Sequence, residues 1–187
     1  MIFKPTALEG VWIIEPVVYP DQRGYFMESF RQNLFEEHIG PVHFIQDNES
    51  QSQFGTLRGL HCQLPPHAQT KLVRVVEGEV FDVAVDIRKD SKTFGQYVGV
   101  HLSAENKRQF LLPKGFTHGF LTLSESAVFQ YKVDAYYNRE SESSIRYDDP
   151  TLNIKWPLKK DQIIQSPRDA QAPFLENARV FEPSWGK

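Results

Sequence analysis

The run Arg58-Gly59-Leu60-His61-Cys62-Gln63, with Lys71 opening a β-rich stretch soon after, sets three nitrogen-bearing side chains near one sheet. An imidazole exchanges a proton near neutral pH, and ammonium and guanidinium groups support negative charge, so the set suits proton transfer beside a polarised oxygen. A second cluster, Pro113-Lys114-Gly115-Phe116-Thr117-His118-Gly119-Phe120, has Pro-x-Gly-x-x-His spacing, in which a tight turn delivers a histidine onto a strand. Catalytic metal sites generally use about three protein ligands. His61 and His118 have no evident third, because Gln63 stands where a His-x-His pair would need its second imidazole. The expectation is therefore no bound metal, and acid–base chemistry with His61 as the base candidate.

These residues must be positioned by short strands. In Val80-Phe81-Asp82-Val83-Ala84-Val85-Asp86-Ile87, the side chains of Phe81, Val83, Val85 and Ile87 point one way and the two aspartates the other, which reads as a half-buried strand. The β-branched run Lys71 to Val76 precedes it, and Glu77-Gly78-Glu79 joins the two as a hairpin. Similar runs occur at Val11 to Tyr19, Gly24 to Phe30, Val42 to Asn48, Tyr97 to Leu102, Gln109 to Leu112, Phe116 to Leu123 and Ala127 to Val133. Regular strands without long intervening helices predict an all-β jelly-roll barrel with short peripheral helices. One such helix is expected at Arg31 to His38, with Leu34, Phe35 and His38 along one face. From Asp149 the prolines Pro150, Pro157, Pro167, Pro173 and Pro183 exclude a long regular element, so this segment is expected to wrap the barrel of a single domain, residues 1–187.

With 187 residues, 40% apolar and 24% charged, the chain has the composition of one ordinary folded domain. A net charge of -3 supplies no basic field for a nucleic acid. No apolar run approaches the roughly twenty residues of a membrane helix. The single Cys62 cannot form an internal disulfide and the opening residues lack the apolar core of a signal peptide, so a cytoplasmic location is expected.

The Pro-x-Gly-x-x-His turn resembles the second cupin motif, while His61-Cys62-Gln63 departs from the first. Taken together, Asp21-Gln22-Arg23-Gly24-Tyr25-Phe26-Met27-Glu28, Gln46-Asp47-Asn48, Leu57 to His61, Phe116 to Phe120, Tyr131-Lys132 and Ser166-Pro167-Arg168-Asp169 closely resemble the dTDP-4-dehydrorhamnose 3,5-epimerases, cupin-fold deoxysugar epimerases that act before the final reduction in dTDP-L-rhamnose synthesis. The resemblance spans most of the chain. It implies His61 as base, Asp169 as its carboxylate partner, Tyr131 as the opposing acid and Lys71 beside the C4 oxygen of the sugar. It also implies that Arg58, Gln46, Asn48 and His118 line the sugar and diphosphate site, that Arg23, Phe26 and Glu28 are nucleotide-side contacts, that Glu142 and Arg168 touch the ligand, and that Tyr136 packs near thymine. A dTDP-linked 4-keto-6-deoxy sugar as ligand, no cofactor, and a homodimer in which the region Arg23 to Glu28 completes a neighbour's pocket follow from the same resemblance. Cys62 stands where the family often has an aromatic residue, so the pocket around His61 is expected to differ in shape.

Taken singly, these residues have ordinary structural readings: a histidine satisfying hydrogen bonds, a core tyrosine, a helix-capping aspartate, solvated charges. Only their joint order favours catalysis. An epimerase acting at C3 or C5 alone and a non-catalytic nucleotide-sugar-binding cupin share nearly all the same residues, and a metal-dependent cupin oxygenase is a third reading.

Overall fold

Alternation of buried and exposed positions shapes most of the regular structure into strands. The structure, a computed structural model, describes residues 1–182; Pro183 lies outside the described residues. Along them run β1 (Ile2–Pro5), β2 (Trp12–Glu15), β3 (Val18–Asp21), β4 (Gly24–Met27), α1 (Gln32–His38), β5 (Gln46–Gln53), β6 (Leu57–Gln63), β7 (Lys71–Glu77), β8 (Glu79–Asp86), β9 (Tyr97–Ser103), β10 (Gln109–Leu112), β11 (Phe116–Thr122), β12 (Ser126–Val133), β13 (Glu142–Ser144) and α2 (Pro167–Ala170). A six-stranded sheet, β1-β2-β10-β7-β12-β5, faces a five-stranded one, β13-β6-β11-β8-β9, and β3 and β4 form a separate hairpin. The neighbouring strands pair antiparallel throughout both sheets. This is the jelly roll expected from the strand pattern.

Between the sheets, Val73, Val75, Phe110, Leu112, Ala127 and Phe129 of one meet Val80, Ala84, Val100, Leu102, Phe116 and Phe120 of the other. The outer face of the six-stranded sheet is covered where Phe35 of α1 packs with Ile14, Val42, Leu72 and Leu111. Leu34 is only half-buried. His38 is exposed and stacks on Phe3, with ring centroids 4.4 Å apart, so the predicted helical face is carried mainly by Phe35.

Strand β8 corrects the sequence reading. Its alternation is as expected, but it is buried on both faces: Val83, Val85 and Ile87 lie on the outside of the barrel beneath Leu152, Ile154 and Leu175 of the C-terminal segment. Asp82 and Asp86 are buried instead of solvated, with no exposed surface. Asp82 shares the barrel-facing side of β8 with Val80 and Ala84, whereas Asp86 is satisfied by Arg88, Ser91 and Thr93 in the following turn. A sheet covered on both sides leaves no solvent face for a polar residue.

Candidate active site

Strand register decides which side chains enter the barrel. His61 of β6 is the direct cross-strand partner of His118 on β11, so the two imidazoles leave the same face of the five-stranded sheet. Tyr131 of β12 and Lys71 of β7 come from the six-stranded sheet opposite. These four side chains line one cleft of about 470 Å³ together with Arg58, Phe120, Phe129, Gln165, Arg168 and Asp169. Imidazole and phenol thus approach the space from facing sheets, and the Lys71 ammonium lies 6.0 Å from the centre of the Tyr131 ring.

Asp169 comes from the C-terminal segment. Ile164 is clamped to the start of β6 by paired backbone bonds to Gly55 and Leu57, each 2.8 Å. Ser166 then caps α2 by accepting from the Asp169 N–H at 3.1 Å, and Pro167 occupies the first turn, where a missing N–H costs nothing. The chain is thereby fixed with the buried Asp169 carboxylate 2.7 Å from His61 Nε2. Burial alone would raise the Asp169 pKa, but His61, the Gly59 N–H and Ser166 outweigh it and hold the carboxyl below its usual range. Burial raises the Tyr131 pKa, keeping the phenol protonated, and lowers that of Lys71.

The remaining predicted residues divide among the cleft, a neighbouring cavity, the rim and the β3–β4 hairpin. Arg58 lines the cleft and bonds Ser52 Oγ at 2.9 Å and the Gln51 carbonyl at 3.1 Å. Asn48 stands opposite Tyr131 in the β5–β12 ladder and accepts from Gln46 Nε2 at 2.8 Å; it lines a smaller cavity, about 250 Å³, that shares Tyr131 with the main cleft. At the rim, Glu142 pairs with Arg168 and accepts from the Tyr137 hydroxyl at 2.8 Å, which together lower its pKa against the opposing effect of burial. Tyr136 is exposed. Arg23, Phe26 and Glu28 are not gathered at this cleft: they sit on and just after the β3–β4 hairpin, with Phe26 70% exposed.

Cys62 faces away from the cleft, into the apolar layer beneath the C-terminal segment, so it does not reshape the pocket around His61. Burial pushes its thiol up to about 11. The sequence reading missed Gln165, which lines the cleft, and Asp82, which is buried and bonded to the cleft residue His118. Gln165 adjoins the Ser166-Pro167-Arg168-Asp169 landmark, which was the available signal, and its Nε2 is buried with no partner among the described residues. Asp82 bonds His118 Nε2 at 2.9 Å; its signal was an acidic residue within an apolar strand. Among the described residues no three His, Cys, Asp or Glu side chains are grouped to hold a metal ion.

A jelly-roll barrel whose cleft opposes a carboxylate-bound histidine and a half-buried tyrosine defines a cupin-type protein equipped with acid–base groups. Known proteins narrow the class. The signature of the dTDP-4-dehydrorhamnose 3,5-epimerase family matches residues 5–177, and the chain belongs to that family. It is 55% identical over 183 residues to the dTDP-4-dehydrorhamnose 3,5-epimerase of Salmonella typhimurium, covering 97% of this chain and 100% of that one. The crystal structure of the Elizabethkingia anophelis enzyme of the same name superposes with a TM-score of 0.91 at 50% identity, over 95% of this chain and 97% of the other. That of the dTDP-6-deoxy-D-glucose-3,5-epimerase of Legionella pneumophila, in complex with dTDP-4-keto-L-rhamnose, gives a TM-score of 0.91 at 55% identity, over 94% and 93%. No helix among the described residues is long and apolar enough to cross a membrane.

Proposed function

We propose that the chain epimerises dTDP-4-dehydro-6-deoxy-D-glucose at C3 and C5 to dTDP-4-dehydro-L-rhamnose. Its family membership, and the dTDP-4-keto-L-rhamnose in the Legionella complex, support that substrate class. The carrying observation is a cleft with a carboxylate-bound imidazole on one sheet and a protonated phenol on the facing sheet.

Hydrogens on C3 and C5 are acidic because the electrons left behind by their removal delocalise onto the C4 oxygen. In this reading His61 removes the proton and Asp169 stabilises the resulting imidazolium, as in other carboxylate–histidine pairs. Lys71 stabilises the enolate oxygen. Tyr131 returns a proton to the opposite face, which inverts the centre. The C–H bond is broken and remade with no net change in oxidation state, so no redox cofactor is required. Arg58, Gln46, Asn48 and His118 hold the sugar and diphosphate, Glu142 and Arg168 contact the ligand at the rim, and Tyr136 packs against thymine. Arg23, Phe26 and Glu28 reach the nucleotide from a second copy of the chain.

The test is incubation with the 4-keto substrate in deuterated water followed by NMR of the sugar. Deuterium at both C3 and C5 with the L-rhamno product is expected, His61→Ala should abolish uptake, and Tyr131→Phe should impair inversion more than exchange. Deuterium at one carbon alone would make the protein a single-centre epimerase. Binding with no exchange would leave only a nucleotide-sugar receptor.

A further inference from the structure

Two histidine–carboxylate pairs stand side by side at the cleft, one of them with its carboxyl buried away from the lining. Since His61 and His118 are direct partners in the β6–β11 ladder, their Cβ atoms lie about 5 Å apart on one face. Each imidazole uses Nε2 to meet a carboxyl group, Asp169 at 2.7 Å and Asp82 at 2.9 Å. The two carboxyls live in unlike surroundings. Asp169 Oδ2 also receives the Gly59 N–H, at 3.5 Å, and the group lies at the cleft wall. Asp82 is wholly buried between Val80 and Ala84, and its Oδ1 has no hydrogen-bond partner among the described residues.

An ionised carboxylate with one bare oxygen in an apolar interior is far costlier than the neutral acid. The charged or titratable groups near Asp82 are His118 on β11 and Lys71 on β7, with Cys62 and Glu142 near Lys71 in turn. Burial prevails over the stabilising effect of His118 and Lys71, so the Asp82 pKa is raised while that of Asp169 is lowered. Pairs of titratable groups pushed apart by their environments mark opposite roles.

We propose that Asp82 is a neutral carboxylic acid that donates Oδ2–H to His118 Nε2, so that His118 keeps its own proton on Nδ1 and offers it to the sugar. His61 is then the opposite tautomer: its Nε2–H donates to ionised Asp169, and its bare Nδ1 takes the substrate proton. Asp82 is a positioning residue acting through His118. A neutral His118 also avoids placing two imidazoliums side by side when His61 becomes charged. Beside Lys71, the Nδ1–H of His118 supplies a second donor to the oxygen on which enolate charge collects, and the identity of that oxygen rests on the proposed epimerase reading.

Tautomers are read directly from 15N NMR of histidine-labelled protein. In the wild type, His118 should show a protonated-type Nδ1 and an unprotonated-type Nε2, with His61 the reverse. Infrared difference spectra should contain a protonated-carboxyl stretch that disappears in Asp82→Asn. Because the Asn amide also donates, Asp82→Asn should preserve the His118 tautomer and lower kcat/KM by about threefold, whereas Asp82→Leu, which removes the donor, should lower it roughly tenfold or more. Should Asp82→Leu fail to fold, the wild-type spectra decide alone. A proton on Nε2 of His118 with a bare Nδ1, or an imidazolium there, would overturn the proposal. If the tautomers are as stated but wild-type protein leaves C3 and C5 unexchanged, the epimerase reading fails and the Asp82 assignment stands.

Discussion

At the scale of single residues, the charge of Lys71 ties the reaction to pH. The side chain acts only as an ammonium, and burial lowers its pKa from the usual value of about 10.4. Raising the pH through that lowered pKa removes the cation that stabilises the enolate, so exchange at C3 and C5 should fall along an alkaline limb below the ordinary lysine range. The cleft phenol cannot account for such a limb, because burial moves Tyr131 upward. Cys62 titrates near 11 and lies outside the cleft. Lys71→Arg keeps its charge beyond pH 12 and should therefore carry the limb to higher pH, even with a lower maximal rate. A pH–rate profile in deuterated buffer reads this, and a limb at the same place in Lys71→Arg would remove Lys71 from that role.

At the scale of elements, the close approach of β6 and β11 fixes the two histidines. Gly59 has φ of +119°, and a Cβ there would sit 2.6 Å from Gly119 Cα and 2.7 Å from the His118 carbonyl oxygen, both backbone atoms with little freedom to move. The ladder shifts register between His118 and Phe120, beside this contact. Gly59→Ala should destabilise by at least about 2 kcal/mol from steric and backbone strain together, measured by urea unfolding, and a value within about 0.5 kcal/mol of wild type would refute the close-approach argument. Strands that carry an apolar face were legible in the sequence, as β7, β8 and β10 illustrate, but β7 and β8 do not form the expected hairpin: after Gly78 the chain crosses to the facing sheet, where β7 pairs with β10 and β12 and β8 with β11 and β9. The polar strand was not legible. Its residues Gln46–Gln53 have no apolar alternation, so the reading stopped at Asn48 and began early at Val42, which instead packs beneath α1. The expected run Val11 to Tyr19 divides into β2 and β3 around Pro16 and Val17. His61, Lys71 and Arg58 were named from the chain and Tyr131 from the family resemblance, and register carries all four to the same cleft. Asp82 could not be named, because periodicity gives the side of a strand a residue takes and leaves open whether that side meets water or another sheet.

At the scale of the whole molecule, the β3–β4 hairpin is hard to explain in a single copy. Tyr19, Tyr25 and Phe26 are 59%, 55% and 70% exposed, a costly display of aromatic surface on so short an element. The Arg23 side chain is 90% exposed and among the described residues forms an ion pair only with Asp21 of its own turn. We propose that the hairpin is buried against a second copy, where Arg23, Phe26 and Glu28 complete that copy's nucleotide site. In a two-fold dimer the exchange is reciprocal, so each site combines one chain's cleft with the other's hairpin. His61→Ala and the double variant Arg23→Ala/Phe26→Ala should each be nearly inactive alone. When the two are unfolded together at equal concentration and refolded, half the dimers should be mixed, and each mixed dimer has one site with both native parts. Activity should therefore return to about a quarter of wild type on a per-site basis. A mixture as inactive as its components would place the hairpin with its own chain's cleft or with neither, because only exchange between copies can rebuild a complete site from two broken ones.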